Sequence, residues 1–318
     1  MPELPEVETI RRGLSEFIIK KNLIKTTILC EKSFIGAPIE GEVINLRRFG
    51  KALVIDFNNQ TSLMIHLRMT GQLIYDPVST DHISPTDRPA SNKYPISELP
   101  RPGRYAAGHP SDNFTAALPN HQTRVILTFT GPETNVVTGT LYFNDQRKFG
   151  FIKSLQTSEI ENDPFIKKLA KEPWEMTASE LYDKLQRHQN SKIKPTILDQ
   201  TIIAGLGNIY ADEALYESRI HPERRAGSLT LEETAALLAA AKHVMEKSIA
   251  SGGSTMATYV KADGTKGDYL EKFAQVFRKE STPCPRCGAI IIKTKVAGRG
   301  THLCPNCQKL DEREPQND

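Results

Sequence analysis

The sequence predicts an α+β protein: an N-terminal β-sandwich flanked by helices, then a helical domain, then a β-hairpin clasped by four cysteines. Three observations predict it. Val7, Ile10, Leu14 and Phe17 recur at helical spacing ahead of a series of short β-branched runs. From about residue 158 the pattern turns helical. Cys284, Cys287, Cys304 and Cys307 form C-x2-C-x16-C-x2-C. A chain of 318 residues suits two domains and a small appendage.

The apolar stripe places the first helix over about residues 4–19, almost at the terminus. The runs IKTTILC, EVINLRRF, KALVIDF, TSLMIHL, RVILTFT and GTLYFND read as strands separated by turn residues. Between the fourth and fifth lies 76–122, which holds eight of the twenty prolines and shows no periodicity, so a long loop or disordered insertion is expected there. SELYDKLQRH, NIYADEALYESRI and LEETAALLAAAKHVMEKSIA read as helices, the last favoured by its Ala, Leu and Glu. The glycines of SGGSTMATYVKADGTKGD suit a loop. Boundaries fall at 1–155 for the N-terminal domain, 156–270 for the helical domain, 271–310 for the cysteine module and 311–318 for a polar tail.

Hydrophobic residues at 38% and charged residues at 25% describe a globular protein, and no apolar run approaches the roughly 20 residues of a membrane span, so no membrane partner is expected. MPELPEVETIRRGL has no apolar core of a secretory signal, which points to the cytoplasm. A monomer is the simplest expectation. Net charge is only +3, but Met256 to Leu310 carries ten Lys or Arg against four Asp or Glu, an excess that suits a phosphate backbone as well as a solvated surface.

The cysteine spacing lets two turns each present a pair of thiolates to one tetrahedral Zn²⁺. Four thiolates leave no position for water, so the single ion is structural. AIIIKTKVAGRGTHL between the pairs suits a hairpin, with Gly298 to Gly300 at its tip or return strand. Cys30 reads as a packed small hydrophobe.

Pro2 admits two readings. Local sequence alone is satisfied by a helix-start proline, with Glu3 and Glu6 favouring the N-terminal dipole. Removal of Met1 would instead expose a secondary amine whose pKa, near about 8, leaves a nucleophilic fraction at neutral pH.

Six ordered blocks, together with MPELPEVETIRRGL and the cysteine pairs, decide between such readings. They are RRFGK (Arg47 to Lys51), HLRMTG (His66 to Gly71), RKFG (Arg147 to Gly150), DQTIIAGLGNIYADE (Asp199 to Glu213), GGST (Gly252 to Thr255) and AGRGTHLCPNCQ (Ala297 to Gln308). Across nearly the whole chain they resemble the bacterial-type formamidopyrimidine-DNA glycosylases with a C-terminal zinc finger. The resemblance implies a helix-two-turn-helix domain whose second helix is Leu231 to Ala250, and a lesion loop from Gly252 to Asp268. It implies a DNA repair enzyme acting as glycosylase and abasic-site lyase on oxidised purines in damaged double-stranded DNA, located in the cytoplasm on the bacterial nucleoid. Pro2 would be the Schiff-base nucleophile, Glu3 the principal acid and base, Lys51 the lysine assisting β-elimination and Arg299 the zinc-hairpin arginine assisting δ-elimination. Met69, Arg147 and Phe149 match the trio wedged into the base stack, Asn208 a phosphate donor at a helix start, and His121 a DNA-contacting histidine.

The chain departs from that pattern in two places. Phe277, Arg278 and Lys279 replace a Tyr-Gly-Arg step, and the 76–122 segment is far longer than usual. Two other readings stand beside the main one: an endonuclease VIII-like enzyme acting on oxidised pyrimidines, and a zinc-dependent protein that binds damage without cutting.

Overall fold

The computed structural model describes residues 2–78, 104–109, 114, 116–134, 136–253 and 269–310. Among these, one compact unit holds Pro2 and 6–163, and a second holds 3–5, 164–253 and 269–310.

The first unit is built on strands β1 (Asn22–Ile28), β2 (Phe34–Ile35), β3 (Gly41–Phe49), β4 (Ala52–Phe57), β5 (Thr61–His66), β6 (Gly71–Pro77), β7 (Tyr105–Gly108), β8 (Thr123–Thr130), β9 (Val137–Asp145) and β10 (Phe151–Gln156). They run in the order β2-β10-β5-β4-β3-β1-β8-β9-β6-β7. β1 and β3 meet over only two residue pairs, Asn22 with Glu42 and Leu23 with Gly41. That short seam divides the sheet into two five-stranded halves which share one core. Leu53, Ile55, Leu63 and Ile65 come from one half, and Leu73, Val125, Leu127 and Phe143 from the other. Helix α1 (Leu4–Ile18) adds Val7, Ile10 and Leu14 to that core at the spacing seen in the sequence. Ile18 takes the fully buried place beside them, while Phe17 is partly buried against Tyr75 and Tyr105, with ring centroids 5.4 and 5.5 Å away.

The expectation of a structureless 76–122 segment is corrected at two places, its start and residues 105–108. Asp76 and Pro77 finish β6, and Tyr105–Gly108 form the wholly buried β7, paired with β6 from Gln72–Gly108 to Tyr75–Tyr105. Tyr105 fills the space left by Gly13, whose added Cβ would lie 2.5 Å from the ring. The prolines that dominate the segment's composition hid this four-residue strand, because a run so short has no period to detect. The middle of the segment lies outside the described residues.

The second unit contains α2 (Ala178–Arg187), α3 (Ile193–Leu198), α4 (Asn208–Glu217) and α5 (Leu231–Ala250). Capping boxes start α2 and α5: the Thr177 and Thr230 side chains accept from the N–H groups of Glu180 and Glu233, whose carboxylates return to the cap N–H groups. α4 is the central helix, with every residue from Tyr210 to Tyr216 buried, including the charged Asp212 and Glu213. Burial of such groups demands partners. β11 (Ile292–Val296) and β12 (Arg299–Leu303) form the hairpin, with Val296 opposite Arg299. Its two-residue turn, Ala297 and Gly298, has φ of 46° and 78°, both left-handed as the tight hairpin turns require. Among the described residues, no helix is long and apolar enough to cross a membrane.

Candidate nucleic-acid interface and metal centre

In the first unit, the turn from β5 to β6 and the turn from β9 to β10 bring Met69, Arg147 and Phe149 together. Met69 is 44% and Phe149 56% exposed. Arg147 Nη1 lies 3.5 Å from Met69 Sδ, and its guanidinium carbon lies 5.2 Å from the Phe149 ring centroid. Two large apolar side chains thus stand in water beside a cation instead of entering the core, an arrangement suited to a stacked or apolar ligand.

Lys51, after Gly50 in the turn from β3 to β4, is 6% exposed. Its charge is felt at His66, which is buried and whose pKa falls to about 3, chiefly through burial and then through Arg68 and Lys51. His66 is therefore neutral at physiological pH, and its Nδ1 accepts the Arg68 N–H at 3.1 Å. His121 is exposed in the turn before β8, where its carbonyl accepts from Arg124 Nη1 at 3.0 Å. Pro2 is buried.

In the second unit, Glu3 is 3% exposed and its Oε1 accepts the Ile209 N–H at 3.0 Å, at the start of α4. A Cβ on Gly207 would lie 2.2 Å from Glu3 Cδ, and one on Gly205, at φ +89°, would lie 2.3 Å from Leu4 Cδ1. The close approach of Leu4 and Glu3 therefore requires glycine at both positions. Asn208 Nδ2 donates to the Gly300 carbonyl at 3.1 Å, one residue from the exposed Arg299.

That same carbonyl accepts from Lys194 Nζ at 2.9 Å, and Lys194 donates also to Thr301 Oγ1 at 2.8 Å. Lys194 on α3 is fully buried and pairs with the equally buried Asp212 on α4 at 2.7 Å. Burial pulls the Lys194 ammonium below the ordinary lysine range, against the attraction of Asp212. Asp212 Oδ2 also accepts the His302 N–H at 2.9 Å. The strand that begins at Arg299 is thus tied to two helices by a buried charge pair. Sequence inspection missed the pairing of Lys194 and Asp212, because both stand among mixed polar and apolar neighbours that leave no local signal of it.

Glu213, next to Asp212, accepts the N–H groups of Gln275, Val276 and Phe277 at 2.8, 3.0 and 2.8 Å. This fixes the approach to the cysteine module, and the Phe277 ring meets His302 edge-on at 5.0 Å.

The four cysteine sulfurs all lie within 4.8 Å of one another. Cys284 and Cys307 are separated by 3.9 Å and Cys287 and Cys304 by 3.5 Å. A tetrahedral zinc with bonds of about 2.3 Å needs sulfurs about 3.8 Å apart, so this donor set fits the ion, and the separations exceed any disulfide. The Tyr216 hydroxyl lies 3.2 Å from Cys284 Sγ.

Residues 1–152 match the family of the formamidopyrimidine-DNA glycosylase N-terminal domain, 169–260 that of its H2TH domain, and 281–310 the zinc finger found in FPG and IleRS. The formamidopyrimidine-DNA glycosylase of Pelotomaculum thermopropionicum is 35% identical over 319 residues, covering 98% of this chain and all of the relative. The chain belongs to the formamidopyrimidine-DNA glycosylase family.

Another member, from Exiguobacterium sibiricum, is 36% identical over 98% of this chain and 99% of its own. A point mutant of the Lactococcus lactis FPG, solved with DNA containing Fapy-dG, superposes with a TM-score of 0.76 at 30% identity, over 97% of this chain and all of that one. The Lactococcus lactis enzyme solved with abasic-site DNA gives 0.74 at 29% identity over the same share. Against the family's Tyr-Gly-Arg step, this chain holds Arg278 at φ +58°, the left-handed conformation that glycine adopts without strain.

Proposed function

We propose that this chain is a bifunctional DNA glycosylase and abasic-site lyase that removes oxidised purines, 8-oxoguanine and formamidopyrimidines, from duplex DNA. The observation that carries the reading is the exposed group of Met69, Phe149 and Arg147. Extruding a nucleotide costs a few kcal/mol, and apolar wedges with an arginine facing the orphaned base offset it. Related structures hold DNA with Fapy-dG or an abasic site.

After loss of Met1, the Pro2 amine attacks C1′ of the extruded nucleotide as the bond to the base breaks, giving an iminium on the opened sugar. Glu3 exchanges protons with the sugar and the departing base. Glu3 takes a C2′ proton as the 3′ C–O bond breaks, loss of a C4′ proton to solvent then breaks the 5′ C–O bond, and water hydrolyses the iminium to free the Pro2 amine and the sugar product. Lys51 and Arg299 offset the charge of the departing phosphates. Asn208 donates to a DNA phosphate at the start of α4, its Nδ2 also holding the Gly300 carbonyl beside Arg299, and His121 meets the backbone from its exposed turn. One zinc ion on Cys284, Cys287, Cys304 and Cys307 supplies structure to the hairpin and no chemistry. The protein works as a monomer on the bacterial nucleoid.

The test is borohydride trapping and cleavage across a lesion panel. A covalent adduct on duplexes with 8-oxoguanine opposite cytosine, abolished by Pro2→Gly, is expected; no adduct, or one undiminished by that change, contradicts the reading. A neighbouring structure of the Lactococcus lactis enzyme holds DNA with an oxidised pyrimidine, so the panel includes thymine glycol, and strong preference for it would replace purine by pyrimidine specificity.

A further inference from the structure

The proposed wedge stands on two turns far apart in the chain, with Met69 and Arg147 separated by 78 positions. Both turns are strained. Arg68, beside Met69, has φ +51°, and Lys148, between Arg147 and Phe149, has φ +56°. Non-glycine residues persist in such conformations only where the surroundings hold them. Contact among three exposed side chains is too weak a hold, so the rigidity has to come from beneath.

Beneath both turns lies Asp145, the last residue of β9 and fully buried. Its Oδ1 accepts from the Thr70 hydroxyl and from the Arg147 N–H, the latter at 3.1 Å. Its Oδ2 accepts the Gly150 N–H at 2.7 Å. Thr70 Oγ1 in turn accepts the Arg147 N–H at 3.1 Å, so the hydroxyl bridges the two turns. Arg124 Nε, on β8, donates to the Asp145 carbonyl at 2.8 Å and fixes the backbone from the other side. One carboxylate thereby holds the residue after Met69, the backbone of Arg147 and the residue after Phe149.

We propose that Asp145, acting through Thr70, is the positioning residue that sets the wedge in its stack-entering geometry before DNA arrives. The inference rests on the wedge reading above and adds to it the element that determines how well the wedge works. A carboxylate is the suitable group because both oxygens only accept, and three donors converge on them. An amide would turn an N–H₂ toward one of those donors and release a turn. Pre-setting the two turns removes the cost of ordering them at the moment of base extrusion.

The test compares full-length wild type with Asp145→Asn, Thr70→Val and Thr70→Ser, and with Met69→Ala and Phe149→Ala as controls. Two substrates are used, a duplex with 8-oxoguanine opposite cytosine and a duplex with a preformed abasic site, which is already unstacked. Asp145→Asn and Thr70→Val should lower kcat/KM for base excision about tenfold or more, since small misplacements at a reacting centre are costly. Borohydride trapping on the abasic duplex should change less than about threefold, because no base has to be displaced. Thr70→Ser, which keeps the hydroxyl, should recover most of the excision. A 2-aminopurine beside the lesion should brighten with wild type and fail to do so with Thr70→Val. If Asp145→Asn does not fold, the Thr70 pair decides. Excision like wild type by Thr70→Val, or loss of excision and abasic trapping in equal proportion, overturns the inference while Met69→Ala and Phe149→Ala remain impaired. If those two controls excise like wild type, the wedge reading itself fails, and this inference with it.

Discussion

Replacing Lys194 by methionine should cost this protein about 3–5 kcal/mol, because it strands a charge in a dry site. Lys194 and Asp212 are both fully buried and 2.7 Å apart. Methionine fills nearly the same volume, so packing changes little. What changes is Asp212, which keeps the His302 N–H at 2.9 Å and the His302 ring Nδ1 at 3.2 Å but loses its buried cation, and the Gly300 carbonyl and Thr301 hydroxyl, which lose a charged donor. The double variant Lys194→Met with Asp212→Leu removes both charges and leaves only neutral groups unpaired, each worth about 1–3 kcal/mol. It should therefore be more stable than Lys194→Met alone by about 2 kcal/mol. The assay is urea unfolding followed by tryptophan fluorescence, since the single tryptophan, Trp174, lies in the same unit. A loss below about 1 kcal/mol for the single variant, or a double variant less stable than the single, would refute the reasoning.

Three further outcomes follow from the same structure. His66, with its folded pKa near 3 against 6.5 unfolded, takes up a proton only in the unfolded chain across that window, so stability is full above pH 6.5 and lost as pH falls. Between pH 7.5 and 5 it should contribute a loss of about 2 kcal/mol that His66→Gln abolishes, as read by thermal melts at both pH values. Arg278→Gly should stabilise the chain by about 0.5 kcal/mol, relief of a left-handed arginine at φ +58° outweighing the added freedom of the unfolded chain, as a thermal melt will show. Arg299→Ala should weaken duplex binding across sequences and lower the slope of log affinity against log salt by about 1, measured by titration at several salt concentrations.

The parts of this protein that carry a local period or a fixed spacing were legible in the sequence. Helix α1 and the 231–250 helix stand where their apolar and capping residues place them, and the C-x2-C pairs converge. What was not legible are contacts between distant positions that leave no pattern. Family resemblance alone singles out Met69 and Phe149, since no local period marks them, and it is the meeting of two turns that sets them exposed beside Arg147. Asp145 and Thr70 lie 75 positions apart. Strand β7 is a four-residue edge strand inside a proline-rich segment, recruited by β6 and by the space at Gly13. The neighbours that require Gly205 and Gly207, Leu4 and Glu3, come from the other end of the chain.

The central claim is that the amine of Pro2 bonds to C1′ of the damaged nucleotide, and peptide mapping of the borohydride-trapped adduct by mass spectrometry tests it most directly. The expected product is a chain starting at residue 2 with the reduced sugar on that first residue's nitrogen. A sugar attached instead to Lys51 or another lysine, or a trapped chain that still carries Met1, would contradict it.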